Sequence, residues 1–279
     1  MTSEIKLSVV LPVLAPTPFL RAMTEFAIKT LRAHADNSFE LIVVEAVDNY
    51  FDPKKKARDN RAPVELRQYD EAGWEEDPLL IIDKYLRFNP KIGGVKELNA
   101  GVDAASGDII LSTGNDVIAP PHWDTELLRC FERKDCAVAS LSAFEPGNVI
   151  GPRVAEDRMV EGMYSLFMAF RRGWRFDEDY VKIYQDSDLI MRVYESGQRA
   201  YRSCRAHVHH LLRMTSDRVE PEQHALDLAR DERLFYKRWG QSPLAMFAMI
   251  RTGVQVYGRE SEGWTNPISL HYDPSKDEE

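Results

Sequence analysis

Residues 93–128 read GGVKELNAGVDAASGDIILSTGNDVIAPPHWDTELL, and the reading of this stretch decides the fold. Leu98, Val102 and Ala105 recur at helical spacing until Gly107 ends the run. Asp108 to Ser112 then has the length and apolar content of a buried strand, which stops in Gly114-Asn115-Asp116. A helix, a buried strand and an acidic turn belong to an α/β sheet, whose ligands bind beyond the carboxyl ends of the strands. A carboxylate placed there can hold a hard divalent cation together with a diphosphate. Asp116 is therefore the first candidate site residue, although an Asx turn would use Asn115 and Asp116 equally well.

The preceding segment has the same grammar. Leu7 to Leu14 is a short apolar run suited to a strand covered on both faces, and Pro12 inside it predicts that regular pairing stops there. From Pro18 to His34, Phe19, Met23, Phe26, Ile28 and Leu31 form a helical stripe, with Pro18 in the first turn. Leu41 to Val47 is a second buried strand running into Asp48. Strand, crossover helix and strand make the βαβ unit of a parallel sheet. Beyond it, residues 52–78 are polar around one short strand at Val64–Tyr69, and Leu79–Phe88 reads as a helix with Leu80, Ile81, Tyr85 and Leu86 inward.

Composition sets the outer limits. In 279 residues, 44% are apolar, enough for a sizeable core, and no repeat or linker divides them. We expect one domain over 1–240 and a C-terminal extension over 241–279 with a disordered acidic tail. A formal net charge of −9 argues against general nucleic-acid affinity, and Lys54-Lys55-Lys56 reads as a solvated loop. The absence of a long apolar stretch or a leader pattern at the N-terminus leads to the expectation of a cytosolic protein. Cys130, Cys136 and Cys204 lack metal-ligand spacing and are expected to be reduced structural thiols.

The pattern N-A-G-x-x-x-A-x-G-D-I-I-x-x-x-x-N-D-V-x-x-x-P-x-W-x-x-x-L-L, from Asn99 to Leu128, resembles the family 2 glycosyltransferases, especially a rhamnosyltransferase-like branch whose metal motif is Asn-Asn-Asp-Val. Gly114 stands for the first Asn, and Asn115, Asp116 and Val117 keep register. The resemblance implies the A-type glycosyltransferase (GT-A) fold, a mainly parallel central sheet flanked by helices. It also implies Mn²⁺ or Mg²⁺ at Asp116 and a nucleotide-diphosphate sugar, UDP- or dTDP-linked, as donor. Pro12 matches the end of the family's first strand. Glu45 falls where the second strand carries a base-contacting Asp, with Asp48 behind it, while Lys96 lies nearest the position of the family's diphosphate-facing cation. Asn99 and Gly101 match the Asn and Gly of the following helix, and the resemblance puts Pro12, Asn99 and Asn115 with Glu45, Asp48 and Lys96 among the donor-binding residues.

A second stretch, Phe176-Asp177-Glu178 through Tyr184-Gln185-Asp186-Ser187-Asp188-Leu189 to Arg192, resembles the family's G-x-F-D-E-x-F-x-x-Y-x-E-D-x-D-L-x-x-R, whose Asp after Glu is the catalytic base. Asp186 takes that position and Gln185 replaces the Glu. A carboxylate in the first turn of a helix is held in its charged form by the backbone dipole, and a plain helix cap would use Asp the same way. Asp188 and Arg192, four apart, read as a surface ion pair. The strand Ala200–His210 follows, where the resemblance places a metal- or diphosphate-completing His at His210, and His209 is the second choice because it forms an alternating pair with His207. The helix Glu222–Trp239, with Leu226, Leu228, Leu234, Phe235 and Trp239 inward, reads as a structural cover.

These readings imply an inverting, metal-dependent sugar transfer to an acceptor hydroxyl, with Asp186 as base and a glycan or lipid-linked glycan favoured over DNA or protein as acceptor. Two alternatives carry different consequences: a nucleotide-sugar binding protein without transfer activity, for which Gly114, Gln185 and Glu45 are the warning signs, or a transferase acting on DNA or protein.

Overall fold

Val9, Val10 and Leu11 are wholly buried, because the strand they form, β1 (Leu7–Val13), has a neighbour on each side and helices on each face. A computed structural model describes residues 5–14, 17–46, 65–67, 78–88, 92–144, 159–161, 166–211, 221–240 and 242. Among these residues the chain runs through α1 (Pro18–His34), β2 (Glu40–Ala46), β3 (Glu65–Arg67), β4 (Lys84–Phe88) and α2 (Gly94–Ala104). It continues through β5 (Ile109–Thr113), β6 (Val117–Ile118), α3 (Trp123–Leu128), β7 (Cys136–Phe144) and β8 (Met159–Glu161). It ends in β9 (Phe167–Arg171), α4 (Gln185–Glu195), β10 (Arg199–His210) and α5 (Pro221–Trp239).

The strands join in one sheet in the order β3-β4-β2-β1-β5-β9-β7-β10-β6, with β8 also on β10. β4, β2, β1 and β5 pair in parallel, β9 runs against both β5 and β7, and β7 is parallel to β10. All the long strands except β9 therefore point the same way. Their carboxyl ends, at Val13, Ala46, Phe88, Thr113, Phe144 and His210, share one edge of the sheet.

Alternation along each strand supplies two cores. Val9, Leu11, Leu41, Val43 and Leu111 face Ile28 and Leu31 of α1 and Trp123 and Leu127 of α3. Val10, Ile42, Val44 and Ile110 face α2, α4 and Phe235 of α5. Helix α1 starts where Thr17 accepts the Leu20 amide at 3.3 Å and Pro18 occupies the first turn. Helix α2 sits so close to the sheet that a Cβ on Gly101 would lie 2.4 Å from Val10 Cγ1 and 2.7 Å from Val44 Cγ2. Gly101→Ala should destabilise the protein by about 1–2 kcal/mol in urea unfolding, since overlap at these branched side chains outweighs the gain in helix propensity.

The opposite edge of the sheet is tied by a carboxylate. Glu40 accepts the Ser8 hydroxyl at 2.5 Å and the Ser106 amide at 2.7 Å, and pairs with Lys84 at 2.6 Å. Burial works to raise its pKa, but the hydrogen bonds from Lys84, Ser8 and Ser106 outweigh it and lower it from 4.5 to about 2. A depressed carboxyl stabilises the fold above its unfolded pKa and ceases to as pH falls through its folded one. Stability should therefore drop between about pH 4.5 and 2, and Glu40→Gln should flatten that limb of a pH series of thermal melts.

Several expectations change in three dimensions. Leu79–Phe88 is not a helix: a 3₁₀ turn at Pro78–Leu80 leads into β4, which adds to β2 through Ile42↔Lys84 to Ala46↔Phe88. Pairing with β2 overrides a local pattern too short to distinguish helix from strand. Leu86 and Phe88 are buried as expected of one strand face, whereas Ile81 is exposed. Phe19 and Phe26 also leave the core, with 49% and 51% of their surface accessible, because α1 turns Leu20, Met23, Thr24 and Ala27 inward instead. Pro12 does not end pairing: β5 lets go after Val10, but the register with β2 continues through Pro12↔Val44 to Val13↔Glu45. The three cysteines are buried free thiols, as expected. Apart from Ser242, the extension expected over 241–279 lies outside the described residues.

Candidate functional site

The turn after β5 is anchored on both sides. Asn115 Nδ2 donates to Thr24 Oγ1 of α1 at 3.0 Å, and Thr24 in turn donates to the Leu20 carbonyl. The chain then folds β6 back onto β10, pairing Val117 with His210, and the Leu211 amide donates to the Asp116 carbonyl at 2.9 Å. These constraints bring two residues ninety-four apart in sequence, by their numbers, into contact: His210 Nε2 lies 3.4 Å from Asp116 Oδ2, and both side chains are largely buried. Gly114 shapes the same turn, since a Cβ there would stand 2.7 Å from Asp116 Oδ1. The glycine lets the carboxylate fold back over the turn.

Among the described residues, no three His, Cys, Asp or Glu side chains gather as a metal cage. One carboxylate and one imidazole nevertheless fit a cation that draws most of its oxygen ligands from a diphosphate and water. His209 does not join them: it lies on the other face of β10, exposed, with its ring 5.4 Å from that of Phe144. Its neighbour on that face, His207, is partly buried.

Glu45 stands at the carboxyl end of β2 beside Val13, next to partly exposed Pro12. Tyr85 donates its hydroxyl to Glu45 Oε2, and Arg87 Nε lies 3.6 Å from the same oxygen. Burial, then the bond to Glu45, pushes the Tyr85 hydroxyl pKa upward, so it remains a donor. Asp48 lies outside the described residues. Lys96 is exposed in the first turn of α2, at the same edge. Asn99 takes a different place from the one its motif suggested. It is fully buried, donates Nδ2 to the Phe176 carbonyl at 2.9 Å and to Glu178 at 3.0 Å, and accepts the Phe176 amide at 3.2 Å. Both ends of its amide are thus spent on holding the chain ahead of α4.

Asp186 lies in the first turn of α4, which Gly197 closes at φ +80°. Its Oδ1 accepts the Ser187 amide at 2.7 Å, while Oδ2 has no hydrogen-bond partner among the described residues. The residue is partly exposed, so one carboxylate oxygen remains open to a proton. Tyr184, immediately ahead of the helix, holds φ 64° without being glycine, a conformation that neighbouring structure must enforce. The side-chain oxygen of Gln185 is buried with no partner among the described residues. A carboxylate at that position would be a buried charge lacking a donor, a far costlier arrangement than an amide.

Asp188 corrects another expectation. It pairs with Arg192 at 2.8 Å as the spacing suggested, yet it is 1% exposed and also accepts from Trp239 Nε1 at 3.1 Å. Arg238 lies 3.4 Å from it and bridges to Asp177 and Asp179, each at 2.6 Å. Burial works to raise the Asp177 pKa, but the Asp179 amide and the Arg238 guanidinium outweigh it and hold the carboxyl below its ordinary value. Asp231 is not among the residues singled out from the sequence. In α5 it is wholly buried, and it accepts the amides of Val181 at 3.1 Å and of Lys182 and Ile183 at 2.9 Å. The available signal was an acid on the inward stripe between Leu228 and Phe235. Leu226, expected on that stripe, is 66% exposed.

No family model matches the sequence, and no curated protein matches it. Solved structures do. Over 98% of this chain, S. aureus TarS superposes at a TM-score of 0.59 with 16% identity, this chain spanning 46% of the TarS chain. TarS 1–349 in complex with UDP-GlcNAc gives 0.56 and 15%, with 98% of this chain and 77% of that one covered. The mannosyltransferase PcManGT from Pyrobaculum calidifontis, in complex with GDP-Man and Mn²⁺, gives 0.58 and 13%, with 90% and 70% covered. With strand order, helix placement and these likenesses in agreement, the chain has the GT-A fold of nucleotide-sugar glycosyltransferases.

Proposed function

We propose that this protein is an inverting glycosyltransferase of family 2 type, moving a sugar from a UDP- or dTDP-linked donor to an acceptor hydroxyl. The observation that carries the reading is the joint placement of Asp116 against His210 and, in the first turn of α4, of an Asp186 oxygen with no hydrogen-bond partner among the described residues. The fold adds support, as do the nucleotide sugars and the Mn²⁺ named with the neighbours' structures. No helix of the described residues is long and apolar enough to cross a membrane.

Asp116 and His210 would hold Mn²⁺ or Mg²⁺, which when bound offsets negative charge on the leaving diphosphate. Asn115 fixes the turn through Thr24, and Lys96 lies at the positive end of α2, where an anion is favoured. Glu45, oriented by Tyr85 and Arg87, accepts a donor hydrogen bond from the base, beside Pro12. Asp48 remains assigned to the donor side by resemblance alone, while His209, the second choice from its alternation with His207, lies on the other face of β10 from His210. Asp186 takes the proton of the acceptor hydroxyl as its oxygen bonds to the anomeric carbon, and the nucleoside diphosphate leaves from the opposite face with inversion.

The test is a thermal-shift panel of UDP-, dTDP- and GDP-sugars, each with Mn²⁺ and with EDTA. A metal-dependent shift confined to one nucleotide supports the reading and identifies the donor class. No shift with any donor would sink it.

A further inference from the structure

Helix α5 does more than cover the sheet. Its Asp231 offers both carboxylate oxygens to three consecutive backbone amides, at Val181, Lys182 and Ile183. A wholly buried carboxylate is costly unless hydrogen bonds satisfy it, and charge-assisted bonds to amides are about twice as strong as neutral ones. The residues it grips sit directly before Tyr184, whose left-handed conformation sets the direction in which α4 departs. The same loop is tied to the other helix at the site edge, because the Val95 amide of α2 donates to the Val181 carbonyl at 3.2 Å. Two turns farther along α5, Arg238 and Trp239 grip the segment at Asp177, Asp179 and Asp188. The stretch from Asp177 to Asp188 is therefore held at its middle and at both ends by one helix.

We infer that Asp231 is a positioning residue for sugar transfer: its buried carboxylate fixes the backbone of 181–183 and thereby aims the Asp186 carboxylate at the acceptor hydroxyl. The inference builds on the proposed glycosyl transfer. Asp231 touches neither substrate nor Asp186; it acts through the three amides and the turn at Tyr184. Misplacement of a reacting group by about 1 Å costs on the order of 100-fold in rate. Of the residues proposed to bind the donor, Asp116, His210 and Glu45 take no part in these bonds, and Lys96 is reached only indirectly, through the Val95 amide on Val181.

The experiment follows release of nucleoside diphosphate from UDP-GlcNAc, GDP-mannose or a dTDP-sugar with Mn²⁺, water standing in for the acceptor hydroxyl and bonding to the anomeric carbon, together with the donor-induced thermal shift. Asp231→Asn keeps the volume but replaces one acceptor oxygen by an amino group facing amide donors. The expected result, measured well below the melting temperature, is a fall in kcat of about 10- to 100-fold. The donor KM and the donor-induced shift stay within twofold of wild type, and Asp231→Glu recovers part of the rate. In the Asp186→Asn background the second substitution should cost little more, since residues acting as one unit are non-additive. If Asp231→Asn does not fold, Trp239→Phe, which deletes a single bond from α5 to Asp188, decides by the same split between kcat and donor KM. A variant with unchanged kcat, or one whose kcat and donor affinity fall together with stability, overturns the inference. Should wild type release no nucleotide, or Asp186→Asn keep full activity, the transferase reading itself fails and this inference falls with it.

Discussion

Asp186→Asn should abolish sugar transfer while leaving the donor bound. The substitution preserves size, and the Asn oxygen can still accept the Ser187 amide that Asp186 Oδ1 accepts at 2.7 Å. What it removes is the second carboxylate oxygen, which has no protein partner among the described residues and is the atom available to take a proton. General base catalysis contributes roughly 10²- to 10⁴-fold, so kcat should fall by that factor. The metal-dependent thermal shift with donor should remain as large as in wild type, because Asp186 makes no bond to Asp116, His210 or Glu45. Measuring product formation beside the shift separates the two effects. A variant with full activity would place the base elsewhere and return Asp186 to the role of a helix cap.

The second large effect is expected at Asp116. Asp116→Ala should remove the metal-dependent part of donor stabilisation. A ligand at about 100 times its dissociation constant stabilises the native state by about 2.7 kcal/mol. For a domain of this size that is roughly 5–10 °C in melting temperature. Wild type should show that difference between Mn²⁺ and EDTA, and the variant should show the same melting temperature in both. His210→Ala, which takes away the imidazole 3.4 Å from Asp116 Oδ2, should reduce the difference without erasing it, since the carboxylate is the stronger ligand for a hard cation. A full metal-dependent shift in Asp116→Ala would remove the turn after β5 from the donor site.

Much of this architecture is written locally in the chain. Continuous apolar runs at Val9–Leu11 and Leu41–Val44 have to be strands covered on both faces, and the Pro18–His34 helix begins at its Thr17–Pro18 signal. The acidic ends of β2 and β5 fall at one sheet edge because parallel strands joined by crossover helices leave no alternative. Asp116 can therefore be singled out from residue type and its position at a strand's end, whereas Glu45 and Asp186 are picked out by the family resemblance.

Other features depend on partners distant in sequence. Residues 84–88 pair as a strand because β2 offers an open edge, a fact no window of ten residues contains. Phe19 and Phe26 are exposed because α1 rotates by its own packing to turn Thr24 toward Asn115. Asn99 and Asp188 read as a ligand and a surface ion, yet burial converts both into clamps: an amide or carboxylate deep in the fold has to spend every hydrogen bond on the protein.

The sequence by itself determined the class of fold, the edge of the sheet where chemistry is placed, and the acids that end there, because these follow from periodicity and chain direction. The tertiary structure brought His210, already the first choice by resemblance, rather than His209 against Asp116, since β6 pairing with β10 sets that register. It alone brought Asp231 of α5 under the loop before Asp186, since buried charge is stable only where three-dimensional neighbours supply its donors.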